Sequence, residues 1–240
     1  METRLNKYLS EAGYCSRREA DRLIEEKRVT INDEIPELGQ KVFDGDIVKV
    51  DGKVISSEEE FVYIALYKPI GITSTTDRKD PTNIVDFMKY RKRIFHVGRL
   101  DKDSEGLILM TNDGDIVNKI LRANNNHEKE YVVQVDKRVT DQFLRDMSNG
   151  VPILGTMTKK CRVRRVNEHT FKITLTEGLN RQIRRMCSHF GYQVEKLKRI
   201  RIMNIKLDMP KGKWRYIEGE ELDELMRLVE SSVKTEEASK

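Results

Sequence analysis

The sequence predicts an α+β protein: a small N-terminal module of two helices and short strands, then a larger domain on a largely antiparallel mixed sheet with flanking helices. Three features carry this expectation. Helix-like and strand-like periodicities are interleaved without the regular β-α alternation of a doubly wound sheet. Apolar stretches rich in β-branched residues recur through the second part, and several alternate in and out, as in "RVRRV" and "FKITL". A polar acidic hinge, "SSEEEF" at 56–61, separates the parts. The expected division is 1–58 and 59–231, with a disordered tail over 232–240.

In the first module, "RLNKYLSEAG" spaces Leu5, Tyr8, Leu9 and Ala12 for one helical face, and Gly13 follows as the stop. Ser16 with Glu19 is the capping-box pattern for a second helix, whose buried stripe is Ala20, Leu23 and Ile24. Arg17, Arg18 and Arg22 then face outward, with Lys27 and Arg28 nearby. "VTIN" and "KVFDGDIVKVDGKVI" read as short strands broken at Asn32-Asp33 and Asp51-Gly52.

The second domain opens with an apolar strand, "FVYIALYKPIGITST", stopped by Lys68-Pro69 and Gly71. Further strands are expected in "RIFHVGRL", "GLILMT", "KEYVVQV", "KCRVRRV", "TFKITLTEG" and "IRIMNIKLDM", and helices over 82–89, 114–122, 140–148, 180–190 and 219–231. In the fourth of these helices Ile183, Met186, Cys187 and Phe190 form the buried stripe, with Arg181, Arg184, Arg185 and Ser188 opposite. Asn180 is its expected cap.

Composition narrows the function. No apolar run approaches the ~18 residues that cross a bilayer, and the charged start has no signal-peptide core. Three cysteines without pairing fit a reducing cytoplasm. Neither Cys/His metal spacing nor a nucleotide motif is present, so no metal and no cofactor are expected. Residues 159–215 hold 17 Lys and Arg against 4 Asp and Glu, whereas 216–240 hold 3 against 8. A basic surplus confined to one block points to a polyanionic partner, nucleic acid first.

Four stretches bear on chemistry. "GRLDKDSEGLILMTNDGD" at 98–115 is a polar acidic turn opening onto a buried run. It reads as a turn, as a calcium loop that fails at its twelfth position (Asn112 in place of Glu), or as the seat of a catalytic carboxylate. In "EGLNRQIRRM" three arginines crowd a helix start, where the helix dipole disfavours cations, so they read as answering a phosphate or a carboxylate such as Asp101, or as a solvated face with surface pairs. "KEYVVQV" places Tyr131 in a strand, as core packing or as a stacking surface for a base. "YKPIGITST" is a plausible turn and a weak signal alone.

Residues 2–58 resemble the S4 RNA-binding domain through "RLNKYLSEAGYCSRREADRLIEEKRVTIN" and "GDIVKV". In their order, the four stretches resemble the RsuA/RluB/RluE/RluF group of S4-domain-containing rRNA pseudouridine synthases. "NRQIRRMCSHFGYQVEKLKRIRIMNIKL" is most similar to the RluF branch, which acts on large-subunit rRNA and also on a tRNA. The acidic end departs from relatives with a basic tail.

The resemblance implies Asp101 as the essential aspartate, Arg184 as its ion-pair partner and Tyr131 as the active-site tyrosine. RNA contacts are implied for Arg99, Leu100, Lys102, Arg181, Gln182 and Ile183, and for Arg17, Arg18 and Arg22 of the first module. It also implies a 23S rRNA substrate, with tRNA second; the sequence leaves the oligomeric state open, with a monomer as the default expectation. The isomerisation needs no redox agent, energy donor or metal. Asp101 would either attack covalently or remove a sugar proton, and the sequence leaves both open. The other readings are a non-catalytic S4-type ribosome-assembly factor and a metal-dependent RNA hydrolase using Asp101 and Asp103.

Overall fold

The computed structural model describes residues 2–56, 60–122, 126–230 and 232. The chain divides into two compact units: Met1–Val62 with Tyr90–Arg93 and Asn112–Gly114, and Tyr63–Lys89 with Ile94–Thr111 and Asp115–Lys240. The expected hinge crosses residues 57–59, and the expected tail, Ser232 apart, lies outside the described residues.

The first unit runs β1 (Thr3–Arg4), α1 (Leu5–Glu11), α2 (Arg17–Glu25), β2 (Val29–Ile31), β3 (Lys41–Val42), β4 (Val48–Val50) and β5 (Lys53–Val54). β1 pairs with β3, and β2-β4-β5 form an antiparallel sheet. The expected stripes are its core: Leu5 and Leu9 of α1 pack with Ala20, Leu23 and Ile24 of α2 and with Val29, Val48 and Val50. Ser16 caps α2 by accepting the Glu19 N–H at 3.1 Å. The Glu19 carboxylate takes Arg22. Arg17, Arg18 and Arg22 are exposed, as their phase on α2 requires. Arg28 is bound to Asp51 through Nε and Nη2, at 3.0 and 2.6 Å, across the β4–β5 turn.

The second unit runs β6 (Tyr63–Lys68), α3 (Ile84–Met88), β7 (Phe95–Val97), β8 (Glu105–Thr111), α4 (Gly114–Leu121), β9 (Lys129–Val135), α5 (Asp141–Ser148), β10 (Pro152–Ile153), β11 (Thr156–Met157), β12 (Arg162–Asn167), β13 (Thr170–Leu175), α6 (Gln182–His189), β14 (Val194–Ile202), β15 (Ile205–Lys206), β16 (Trp214–Tyr216) and α7 (Gly219–Glu230). The main sheet has the order β12-β13-β9-β14-β8-β6-β16, with β7 beside β8 and β15 beside β14. Its pairs are antiparallel apart from β8 with β14. Two cores serve it. α5 and α6 bring Phe143, Met147, Met186 and Cys187 against Val133, Phe171 and Ile173. α4 and α7 bring Ile116, Ile120, Leu225 and Val229 against Leu107, Leu109 and Ile202.

Three local expectations give way. β14 begins at Val194, ahead of the apolar run, because its ladder with β9 holds the charged residues Lys196 and Lys198 in place. "RVRRV" does not alternate: β12 is an edge strand, exposed along most of its length, with only Val163 half-buried. The β10–β11 hairpin and β16, too short for periodicity to reveal, were not expected.

Candidate active site

The site starts from the turn after β6. Lys68 is fully buried, and its Nζ donates to the carbonyls of Pro69 (3.0 Å) and Ile72 (2.7 Å), folding the Lys-Pro-x-Gly segment onto itself. Gly71, at φ +92°, donates its N–H to the Lys102 carbonyl at 2.8 Å. Ser74 Oγ donates to the Leu100 carbonyl (2.9 Å) and accepts the Leu100 N–H (3.1 Å). The turn that was a weak signal in sequence therefore clamps the Asp101 loop on both sides of the aspartate.

That loop closes with the Ser104 N–H on the Asp101 carbonyl (3.0 Å) and enters β8. Gly106 has φ +118°, and a Cβ there would lie 2.2 Å from the Arg199 carbonyl oxygen. Only glycine allows the parallel strand β14 to approach so closely. Gly106 pairs with Arg199, and Arg199 with Tyr131, so the three lie side by side on β8, β14 and β9.

α6 supplies the cations. Its first turn begins with Arg181 in the left-handed region (φ +48°) and without a side-chain cap, so the expected Asn180 cap is absent. Asn180 is spent on Arg185, accepting from it with its backbone and side-chain oxygens at 3.0 and 3.2 Å. Gln182 instead ties down the segment ahead of the helix: its Oε1 accepts the Leu179 N–H at 3.0 Å, and its Nε2 donates to Glu177 at 2.8 Å. Those bonds engage both ends of the amide.

The arginine–aspartate pairing is broader than one ion pair. Arg181 Nη1 lies 3.3 Å from Asp101 Oδ2, while Arg184 Nε lies 4.0 Å from the same oxygen. Both arginines also hold Asp103, at 3.2 Å each. Arg184 donates further to the Asp103 carbonyl, Ser104 Oγ and the Val194 carbonyl, at 3.1, 3.3 and 3.1 Å, so it ties the loop to the start of β14. Burial works against ionisation of Asp103, but the Arg181 hydrogen bond and the Arg184 and Arg181 charges hold its carboxyl below the ordinary range. With guanidinium groups on both aspartates, the loop is built as an anion–cation cluster.

Asp101, Tyr131, Arg181 and Ile183 line one cavity of about 750 Å³, within the roughly 300–1,000 Å³ of ligand pockets. Arg99 and Lys102 are exposed at its wall, whereas Leu100, Gln182 and Ile183 are buried members of it. Arg17, Arg18 and Arg22 belong to the other unit. The sequence reading missed three buried cations here: Lys68, Lys129 and Arg199. A signal existed for Arg199, which follows the buried Leu197 at strand spacing and so shares its face. Burial pushes Lys68 down to about 8, against the attraction of Asp101 and Asp103. Burial and then the Arg199 charge push Lys129 down to about 8.

Comparison with known proteins matches both parts of the chain. The family model for RNA pseudouridylate synthase matches residues 62–189, and the S4 domain model matches residues 3–48. The chain is 58% identical over 233 residues to the dual-specificity RNA pseudouridine synthase RluF of Salmonella typhi, covering 96% of this chain and 81% of that protein. It is also 58% identical over 232 residues to the protein of the same name from Escherichia coli K12, covering 95% and 80%. A crystal structure of a pseudouridylate synthase matches with a TM-score of 0.69 at 27% identity, over 93% of this chain and 99% of that one. A cavity lined from three separated motifs, a sheet that brings them together and these matches lead to one assignment: the chain belongs to the RNA pseudouridylate synthase family and carries an N-terminal S4 domain.

Proposed function

We propose that the cavity receives a uridine turned out of structured RNA and that Asp101 is the group that starts its isomerisation. The chain is an RNA pseudouridine synthase that binds RNA. The observation that carries the site assignment is convergence: Asp101, Tyr131 and Arg181 come from distant motifs and line the same cavity.

In this reading Asp101 attacks the sugar or base, or removes a ribose proton. Arg184, with Arg181 nearer, is the cation that holds the carboxylate in position. The Tyr131 ring stacks on the extruded base, replacing part of the stacking lost from the RNA, and its hydroxyl is available as an acid or base. Arg99, Lys102 and Arg181 meet the backbone around the target, and the apolar Leu100 and Ile183 shape the wall against which the nucleotide rests.

The substrate we assign is 23S rRNA, with tRNA as the second; the relatives named dual-specificity support two substrates. Residues 1–58 dock structured RNA through Arg17, Arg18 and Arg22, and residues 59–231 carry the chemistry. The protein acts as a cytoplasmic monomer; its three cysteines are free thiols, which fits a reducing compartment. Among the described residues no helix is long and apolar enough to cross a membrane.

The test is tritium release from [5-³H]uridine-labelled rRNA transcripts, with Asp101→Ala beside the wild type. Release by the wild type alone is expected. Equal release by the variant would remove Asp101 from the chemistry. Tight binding without release by either would favour the assembly-factor reading.

A further inference from the structure

Arg199 is a guanidinium that the assignments above leave without a task. It is 3% exposed, and its surroundings fix it on three sides. Its backbone is wedged between Gly106 and Tyr131. Its Nε donates to the Leu107 carbonyl at 2.7 Å, and its Cζ lies 6.0 Å from the centre of the Tyr131 ring. Nη2 is buried and has no hydrogen-bond partner among the described residues. Nor, among them, does a carboxylate stand within 4.0 Å of the guanidinium. The buried charges that act on or feel it, Lys68 and Lys129, are cations too.

Such an arrangement is costly for a folded protein. A buried charge without a counter-ion, holding an orphaned donor, is destabilising, and stable folds seldom keep one without use. Arg199 also lines the cavity that holds Asp101 and Tyr131. The missing partner is therefore an anion, or an oxygen on which negative charge develops, that arrives with the substrate.

We propose that Arg199 is a catalytic residue: its guanidinium donates to a carbonyl oxygen of the target uracil and stabilises the ring as an anion once it separates from the ribose. The inference rests on the reading that this cavity receives the uracil. When the C1′–N1 bond breaks, its electron pair stays on the ring and spreads over N1 and the two carbonyl oxygens. The ring turns, C5 bonds to C1′, the C5 proton leaves and N1 takes up a proton. The atoms balance as an isomerisation with no added reagent. A fixed donor aimed at the developing charge favours the separated state over the bound uridine, which accelerates the step. The face of Tyr131 beneath the guanidinium holds the donor in place.

The test uses the full chain in single-turnover tritium release, with RNA affinity measured in parallel. Arg199→Met is expected to slow release by about a hundredfold or more, and Arg199→Lys, which keeps the charge but loses the planar fork, by about tenfold. Both are expected to bind RNA within about threefold of the wild type. Replacing the target with 2-thiouridine or 4-thiouridine weakens one carbonyl acceptor at a time. One of the two is expected to slow the wild type yet add nothing to the loss in Arg199→Met. If the Met variant does not fold, Arg199→Lys carries the same thio comparison. Wild-type turnover by a folded variant, a loss matched by lost RNA affinity, or thio effects additive with the substitution would each overturn the proposal. Asp101→Asn runs beside them: release from it would overturn the cavity as the seat of chemistry, whereas its silence with a fully active Arg199→Met would overturn the role of Arg199 alone.

Discussion

Gly106 and Arg199 face each other across the parallel contact of β8 and β14, so close that a Cβ on residue 106 would sit 2.2 Å from the Arg199 carbonyl oxygen. The contact does more than save space. It fixes the end of the Asp101 loop to the strand that carries Arg199, and that strand to Tyr131. Gly106→Ala must both hold a side chain at φ +118° and push β14 away. The expected cost is about 2–4 kcal/mol. Urea unfolding would read it as a lower midpoint at unchanged slope, and tritium release as a loss of rate even where the protein is fully folded.

Much of this was legible in the sequence because it rests on periodicity and caps. The stripes of α1, α2 and α6 and the alternation of β9 and β13 are hydrophobic patterns with a single low-energy burial. The motifs named Asp101, Tyr131 and the α6 arginines, and the cavity they line is a property of the sheet. What stayed hidden are effects of strand neighbours. Nothing local in "YKPIG" tells that Lys68 is buried or that Gly71 clamps Lys102. Arg181 displaces Asn180 from the cap because the Asp101 and Asp103 carboxylates, far away in sequence, draw its guanidinium across.

Asp101→Asn is isosteric and keeps the loop bond that the residue 101 carbonyl accepts from the Ser104 N–H. RNA affinity is therefore expected within several-fold of the wild type, while turnover falls below detection. A gel-shift titration and single-turnover release on the same preparation check both halves. Wild-type turnover would remove Asp101 as nucleophile or base.

Arg184→Ala removes one contact to each aspartate together with three hydrogen bonds that tie the Asp103–Ser104 turn to Val194. Activity should fall by about a hundredfold or more. Stability should fall by about 1–3 kcal/mol, and RNA binding should weaken only modestly. Arg184→Lys cannot reach three oxygens in fork geometry and should recover little of the rate. Arg181→Ala, losing exposed contacts, should keep stability and lose RNA affinity instead. Comparing unfolding midpoints with binding constants across the three variants tests that division.

Removing residues 1–58 should weaken RNA binding more than it slows the chemical step. The second unit keeps both of its own cores and the whole cavity. Saturating single-turnover release is the measurement. Normal affinity with no chemistry in the shortened chain would contradict the proposed roles.

Lys68 and Lys129 give the pH dependence its sign. Burial holds both near 8 in the folded protein, whereas an unfolded lysine titrates at 10.5. Asp101, Asp103 and Glu105 draw the Lys68 proton tighter, and the Arg199 charge loosens it, as it also does at Lys129. Below pH 8 both states hold the protons, and the cost of burying the charge is fully present. Between about 8 and 10.5 the unfolded chain binds more protons than the folded one, so the contribution of these groups to stability rises with pH, by up to about 1.4 kcal/mol per pH unit for each. Activity should move the other way, because the ground beneath Asp101 loses positive charge over the same range. Unfolding of wild type and Lys68→Met at pH 8 and pH 10 separates the Lys68 share from that of other lysines and tyrosines. The stability difference should shift in favour of the wild type at the higher pH. A difference that stays constant would mean that Lys68 keeps its proton in the folded protein, held by the Asp101–Asp103 cluster against its burial.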